Sequence, residues 1–161
     1  MKSQKLLIIA AIVCLLVGAP GAAMAANNCP GEYLSGNIQD DVVILSGTSC
    51  VIQDATVTGD ITASEALDVA VVNTKVSGNI KIDDGESATV YVSSAKNIRL
   101  RRNVVAVAFS SLANRNLVVR RNGIARVKQN GAVVSIICRG NEDLDASRNN
   151  TEGEEDCANR P

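Results

Sequence analysis

The sequence predicts an all-β fold, a single-stranded right-handed parallel β-helix (solenoid) of about five to six coils with a disulfide closing each end. Three observations carry this. A short Gly-Asn/Asp-Ile motif recurs at intervals near 20 residues. Between its copies, apolar and polar residues alternate with period two, and Val, Ile and Thr dominate. Four cysteines fall into two pairs, each separated by about one repeat.

The chain has 161 residues. Residues 1–25, MKSQKLLIIAAIVCLLVGAPGAAMA, read as a secretory signal peptide. Lys2 and Lys5 supply the positive start, Leu6 to Val17 the apolar core, and Ala23-Met24-Ala25 an A-x-A cleavage site. The apolar run is short for a membrane span, and Gly18, Pro20 and Gly21 end it. A lipid-bearing cysteine would sit at the cleavage point, whereas Cys14 lies inside the apolar core. The expected organisation is therefore 1–25 signal peptide, 26–137 β-helix and 138–161 a disulfide-closed acidic cap. After cleavage no transmembrane segment remains, and the expected location is the periplasm or the medium.

The motif copies are Gly36-Asn37-Ile38, Gly59-Asp60-Ile61 and Gly78-Asn79-Ile80, then Asn97-Ile98 and Asn116-Leu117 without the glycine. Their Asn/Asp positions are spaced by 23, 19, 18 and 19. Laid on one another, the repeats give an inward column Ile38, Ile61, Ile80, Ile98, Leu117. Two residues on, a second column reads Ala63, Ile82, Leu100, Val119, with Asp40 breaking it in the first coil. A β-sandwich would explain the alternation but not the aligned columns. Uneven spacing argues for the right-handed helix over a strict six-residue left-handed one. The column Asn37, Asp60, Asn79, Asn97, Asn116 is expected to form a side-chain ladder at a corner.

Cys29, Cys50, Cys138 and Cys157 follow the leader, an even count that reads as two disulfides in an exported protein. Cys29 and Cys50 are 21 apart and Cys138 and Cys157 are 19 apart, each about one coil. Residues one coil apart stack within disulfide reach, so the expected pairs are Cys29–Cys50 and Cys138–Cys157. Solenoid ends expose strand edges and core, and these bridges would cap them.

The leader, the Gly-Asn/Asp-Ile turns, the first coil ending in Thr48-Ser49-Cys50, and the ending Cys138-Arg139-Gly140-Asn141 with Asn149, Gly153 and Cys157 resemble a group of secreted bacterial right-handed β-helix proteins. That group has no assigned activity, so the resemblance implies a fold and not a function. The stacking is more distantly similar to bactofilins, which polymerise end to end; this chain departs from them in its leader and cysteines. Pectate-lyase-like enzymes share the helix but are much longer, with chemistry on extended loops missing here.

Composition excludes several functions. With no His and no Trp, one Phe and two Tyr, the chain has no His-based acid–base chemistry, no His-ligated metal and few stacking platforms. After the leader, 14 bases face 17 acids, a net charge of −3. The charges are segregated: residues 31–87 hold ten acids and two lysines, 96–128 nine bases and no acid, and 139–161 seven acids and three arginines.

A turn ladder is expected four and five residues beyond each motif Asn/Asp: Asp41-Val42, Ser64-Glu65, Asp83-Asp84, Arg101-Arg102, Arg120-Arg121. It places Asp83-Asp84 one rung from Arg101-Arg102, a favourable pairing, and Arg101-Arg102 one rung from Arg120-Arg121, an unfavourable one. Arg101, Arg102, Arg120 and Arg121 are the candidate anion site. Solvent and salt, the acidic tail (Glu152, Glu154, Glu155, Asp156) or an external anion would offset their repulsion. Asp40-Asp41 and Asp83-Asp84-Gly85-Glu86 match no calcium loop and read as turn residues. Ser110-Ser111 has no base beside it, and the Asn149-Asn150-Thr151 sequon matters only in a glycosylating host. No cofactor and no metal site is expected. The functional expectation is a secreted, non-enzymatic structural or surface-interaction protein. The alternative is a binding module for acidic polysaccharide or envelope phosphate, and third comes a polysaccharide-active enzyme. Partners would be an anionic envelope polymer or a second copy; negative charge and scarce aromatics argue against nucleic acid.

Overall fold

The computed structural model describes residues 27–29 and 33–157. The leader, its cleavage point and Cys14 lie outside them. The described residues form twenty strands and no helix, and every strand pairing is parallel. The chain winds as a β-solenoid of about seven turns with three faces.

Face one stacks eight strands: Asn27–Cys29, Val42–Ile44, Ile61–Ser64, Ile80–Asp83, Ile98–Arg101, Asn116–Arg120, Ser135–Ile137 and Glu154–Asp156. Face two begins with the first half of Ser49–Val57 and continues with Asp68–Val72, Ser87–Tyr91, Val105–Phe109, Ile124–Lys128 and Asp143–Ser147. Face three continues from the second half of Ser49–Val57 through five two-residue strands, from Lys75–Val76 to Asn150–Thr151. Tyr33–Ile38 pairs along Ser49–Val57 over both halves.

Alternation in the sequence becomes alternation in burial. In Ile80–Asp83, Ile80 and Ile82 are fully buried while Lys81 and Asp83 face outward. The first inward column of face one is Val42, Ile61, Ile80, Ile98, Leu117, Ile136, each residue in register with the next. The second runs Cys29, Ile44, Ala63, Ile82, Leu100, Val119, and Cys138 follows one coil on. Each fully buried Ile or Leu is worth about 1.5–3 kcal/mol relative to exposure, and neighbouring coils supply the burial that no single coil provides.

Three expectations are corrected. The turns number about seven rather than five to six, because Asn27–Cys29 begins the stack and the acidic closing segment adds a further coil. Gly36-Asn37-Ile38 is not a copy of the corner motif. Ile38 pairs with Val57, and Asp41-Val42 takes the place expected of Asn37-Ile38. Gly36, at φ 81°, sits beside a register shift that lets Tyr33–Ile38 run along its neighbour. The step of 23 thus disappears: Val42, Ile61, Ile80, Ile98, Leu117, Ile136 and Glu155 follow one another by 19, 19, 18, 19, 19 and 19. Asp41-Val42 therefore leaves the turn ladder, where the left-handed Gly47 stands instead and donates its N–H to the Glu65 carbonyl. The uneven spacing used to infer the hand has no counterpart in the coils.

The third correction concerns one disulfide. Cys29 is bonded to Cys50 and Cys138 to Cys157, with Cα separations of 5.9 and 4.5 Å. Cys138 and Cys157 stack one coil apart, as the spacing implies. Cys29 and Cys50 do not: Cys29 lies in register with Ile44 on face one, and Cys50 with Val69 on face two. That bond crosses the interior between faces at the first coil.

Each coil turns through left-handed residues at two corners. After face one these are Glu65, Asp84, Arg102 and Arg121 (φ 56–60°), and after face two Asp54, Asn73, Val92, Ser110, Gln129 and Arg148 (φ 46–57°). The next residue points inward; Ala55, Ala66 and Gly85 take these positions in the early coils, and polar ladders fill them from there on. After face one, Asn103, Asn122 and Asn141 link coil to coil: the Asn103 N–H donates to Asn122 Oδ1 at 2.9 Å and the Asn122 N–H to Asn141 Oδ1 at 3.0 Å. After face two, the Thr74 N–H donates to Ser93, Ser93 to Ser111, Ser111 to Asn130 and Asn130 to Asn149. At the third corner the ladder is Asp41, Asp60, Asn79, Asn97, Asn116, Ser135. Here Gly78 has a use: a Cβ would lie 2.6 Å from the Gly59 carbonyl oxygen and collide with Asp60 Oδ1.

Candidate anion-binding site

The outward side of face one carries a continuous run of charged residues. One outward column reads Val43, Thr62, Lys81, Arg99, Val118, Ile137, Asp156. The next reads Ser64, Asp83, Arg101, Arg120, with Arg139 one coil beyond. Arg102 and Arg121 project from the left-handed corner beside it.

The ion pairs decide which cations are free. Asp84 is held by both ends of the Arg102 guanidinium. That hydrogen bond keeps the Asp84 carboxyl below its ordinary range and raises Arg102 above its own. Asp83 lies in register with Arg101, but its carboxylate is taken by Arg99, through Nε at 3.2 Å and through a second, shorter bond. The expected Asp84–Arg102 pairing is present; the Asp83–Arg101 pairing is replaced by a diagonal one, which a long side chain reaches easily. The acidic tail does not reach the central arginines. Asp156 and Glu154, the latter at 3.6 Å, bind Arg139 one rung further on. Asp143 and Asp145 pair with Arg126, at 2.7 Å, and with Lys128 on face two.

Among the described residues, Arg101, Arg120 and Arg121 on face one and its corner form no ion pair with a carboxylate, although Arg101 lies within the electrostatic reach of Asp84. Arg101 and Arg120 are direct neighbours on adjacent rungs. With Arg99, Arg121 and Val118 they line a cleft of about 170 Å³. The Nε of Arg120 is buried there without a hydrogen-bond partner, a costly state for a charged group. Of the four predicted site residues, then, Arg101, Arg120 and Arg121 come together, Arg102 is committed to Asp84, and Arg99 joins the wall. A wider, open cleft of about 520 Å³ continues along the same face over Val43, Leu45, Thr62, Ser64 and Lys81 to Arg99.

Other candidates resolve into structural roles. Ser111 accepts the Ser93 N–H and donates to backbone carbonyls, so it is a rung and not a nucleophile. Asp41 Oδ1 accepts the Asp60 N–H at 2.7 Å. Asn149 Nδ2, the sequon's acceptor atom, donates to the Val127 carbonyl at 2.9 Å inside a ladder. Among the described residues no cluster of three or more His, Cys, Asp or Glu is arranged to hold a metal ion. Sequence reasoning missed the ladders at the two left-handed corners, although Asn103, Asn122 and Asn141 recur at the coil period and signal one of them.

No family model, curated protein or solved structure matches this chain. Of the resemblance drawn from the sequence, the structure shows the parallel β-solenoid. The two disulfides fit an oxidising compartment.

Proposed function

We propose that the protein is an exported, non-enzymatic surface-interaction rod. The observation that carries this reading is the uninterrupted stack, bridged at both ends, whose polar corner side chains are spent on neighbouring coils. Seven steps of ~4.8 Å give a stiff element roughly 34 Å long. Its work would lie in what its faces display. The leader and the disulfides support delivery to the periplasm or the medium. To test it, immobilised protein is exposed to an envelope extract at low salt, and pure protein is incubated with acidic polysaccharides. Retention of an envelope polymer or of a second copy, with no shortened products, is expected. Shortened polysaccharide would overturn the reading in favour of an enzyme.

A second reading, a polyanion-binding module, is favoured by the three unpartnered arginines on face one. It expects retention on heparin despite the net negative charge, weakening with salt. Arg120→Ser combined with Arg121→Ser should abolish retention with the fold intact. Failure of the unmodified protein to bind heparin at low salt removes this reading and leaves the rod.

A further inference from the structure

We propose that Arg101, Arg120 and Arg121 form a socket for a terminal phosphate, a phosphomonoester carried on a larger molecule. This rests on the polyanion reading and narrows it to one chemical group. The cleft is lined by Val118 and the four arginines Arg99, Arg101, Arg120 and Arg121, and no acid lines it. The acids on the neighbouring rungs are engaged elsewhere: Asp83 with Arg99, Asp84 with Arg102, and Glu154 and Asp156 with Arg139. The Arg120 Nε–H finds no acceptor among the described residues, and a small shift of the side chain would turn it to an oxyanion in the cleft.

Size and charge then choose the ligand. A cleft of about 170 Å³ admits a compact oxyanion, while the molecule carrying it stays outside over the open groove of the same face. Two in-register guanidinium groups with a third at the corner repel one another. A carboxylate or phosphodiester brings a single charge, whereas a phosphomonoester brings about −1.5 to −2 at pH 7 and three acceptor oxygens. Its tetrahedral oxygens can meet two guanidinium forks at once, the geometry in which Arg–phosphate bonds are strongest.

The same chemistry gives a signature. The second phosphate ionisation lies near pH 6. The charged groups around the cleft are Arg99, Arg101, Arg120 and Arg121, with Arg102 and Arg139 beside them and the acids these hold. The chain has no His, the side chain that ordinarily titrates in that region. A rise in affinity between about pH 5.5 and 7.5 therefore reports the ligand losing its second proton.

The exported protein is titrated at low ionic strength with inorganic phosphate, glucose 6-phosphate and acetate, following the Arg120 Nε–H by NMR. It is also mixed with vesicles of phosphatidylcholine containing either phosphatidic acid or phosphatidylglycerol. Saturable phosphate binding that strengthens across the window is expected, with acetate about tenfold weaker or worse and the Arg120 Nε–H shifted. Binding of glucose 6-phosphate without phosphatidic acid vesicles assigns the phosphate to a sugar; binding of those vesicles but not phosphatidylglycerol assigns it to a lipid. Arg120→Lys keeps the charge and loses the fork, and should weaken phosphate about tenfold while heparin retention persists and the melting temperature is unchanged. Equal binding of acetate and phosphate, or no phosphate binding while heparin is still retained, overturns the socket and spares the polyanion reading. Loss of both overturns the two together.

Discussion

The inner corners and the outer arginine rungs are built from the same repeat and treat polar atoms in opposite ways. Inside, Asn122 is 1% exposed, and its N–H, amide and carbonyl oxygen all find partners one coil away. Outside, one column away, Arg101 and Arg120 face each other with no acid between them. A coil period that stacks identical groups suits Asn, which both donates and accepts. It does not suit Arg, which only donates. The Asn ladders therefore look inward for stability, while the Arg rungs leave donors without a carboxylate partner.

Four tests probe this contrast. The largest effect is expected inside the aliphatic column. Ile98→Asp buries an unpaired charge at a fully enclosed site and should cost at least about 4 kcal/mol, or prevent folding. Lys81→Asp, outward on the preceding rung, should cost about 1 kcal/mol or less. Equal losses in denaturant melts would break the inside–outside assignment. Next, Asn122→Ala strands the Asn103 N–H and the Leu100 carbonyl, for about 2–4 kcal/mol. Arg120→Ser, its outer counterpart, should stay within about 0.5 kcal/mol and tend to stabilise, because a like-charged neighbour is removed. Third, Val92 is a β-branched residue at φ 48° in a column otherwise held by polar residues. Val92→Asn should raise stability by about 1 kcal/mol, seen as a higher melting temperature.

The smallest effect concerns pH. Burial pushes the Asp60 carboxyl up, but the Asn79 N–H, the Asn79 side chain and Lys81 more than offset it, leaving the group below its usual value. The hydrogen bonds from Arg102 and Arg126 do the same for Asp84 and Asp143. A lowered carboxylate stabilises the fold above its unfolded pKa and ceases to do so as pH falls through the folded one. Melting temperatures should be level from about pH 8 to 5 and fall below about pH 4. Asp60→Asn, copying the residue type of the later coils, should be nearly silent at neutral pH and soften the acid decline.

Much of the fold was legible because a solenoid writes its geometry as a period. Ile61, Ile80, Ile98 and Leu117 announced a core column, and the β content followed from alternation. The first coil was misread at Gly36-Asn37-Ile38, because a motif carries no register and only the Ile38–Val57 and Val42–Ile61 pairings set it. The Cys29–Cys50 pairing followed from a spacing of 21, yet the bond joins two faces; the two residues beyond the 19-residue coil were the available hint. At the arginine cluster, the sequence supplied the four cations but not their competition for acids. Whether Asp83 goes to Arg99 or to Arg101 depends on side-chain reach across a diagonal, which spacing does not encode.

The disulfides at opposite ends of the stack have a mechanical consequence. A linear array of nearest-neighbour contacts melts by fraying, since a terminal coil loses one interface where an internal coil must lose two. Here both terminal coils are staples, so the easy route is shut and opening must start in the interior or be paid for at both ends. Reduction at one end would then turn the rod into a one-way zipper, peeling coil by coil from the freed side.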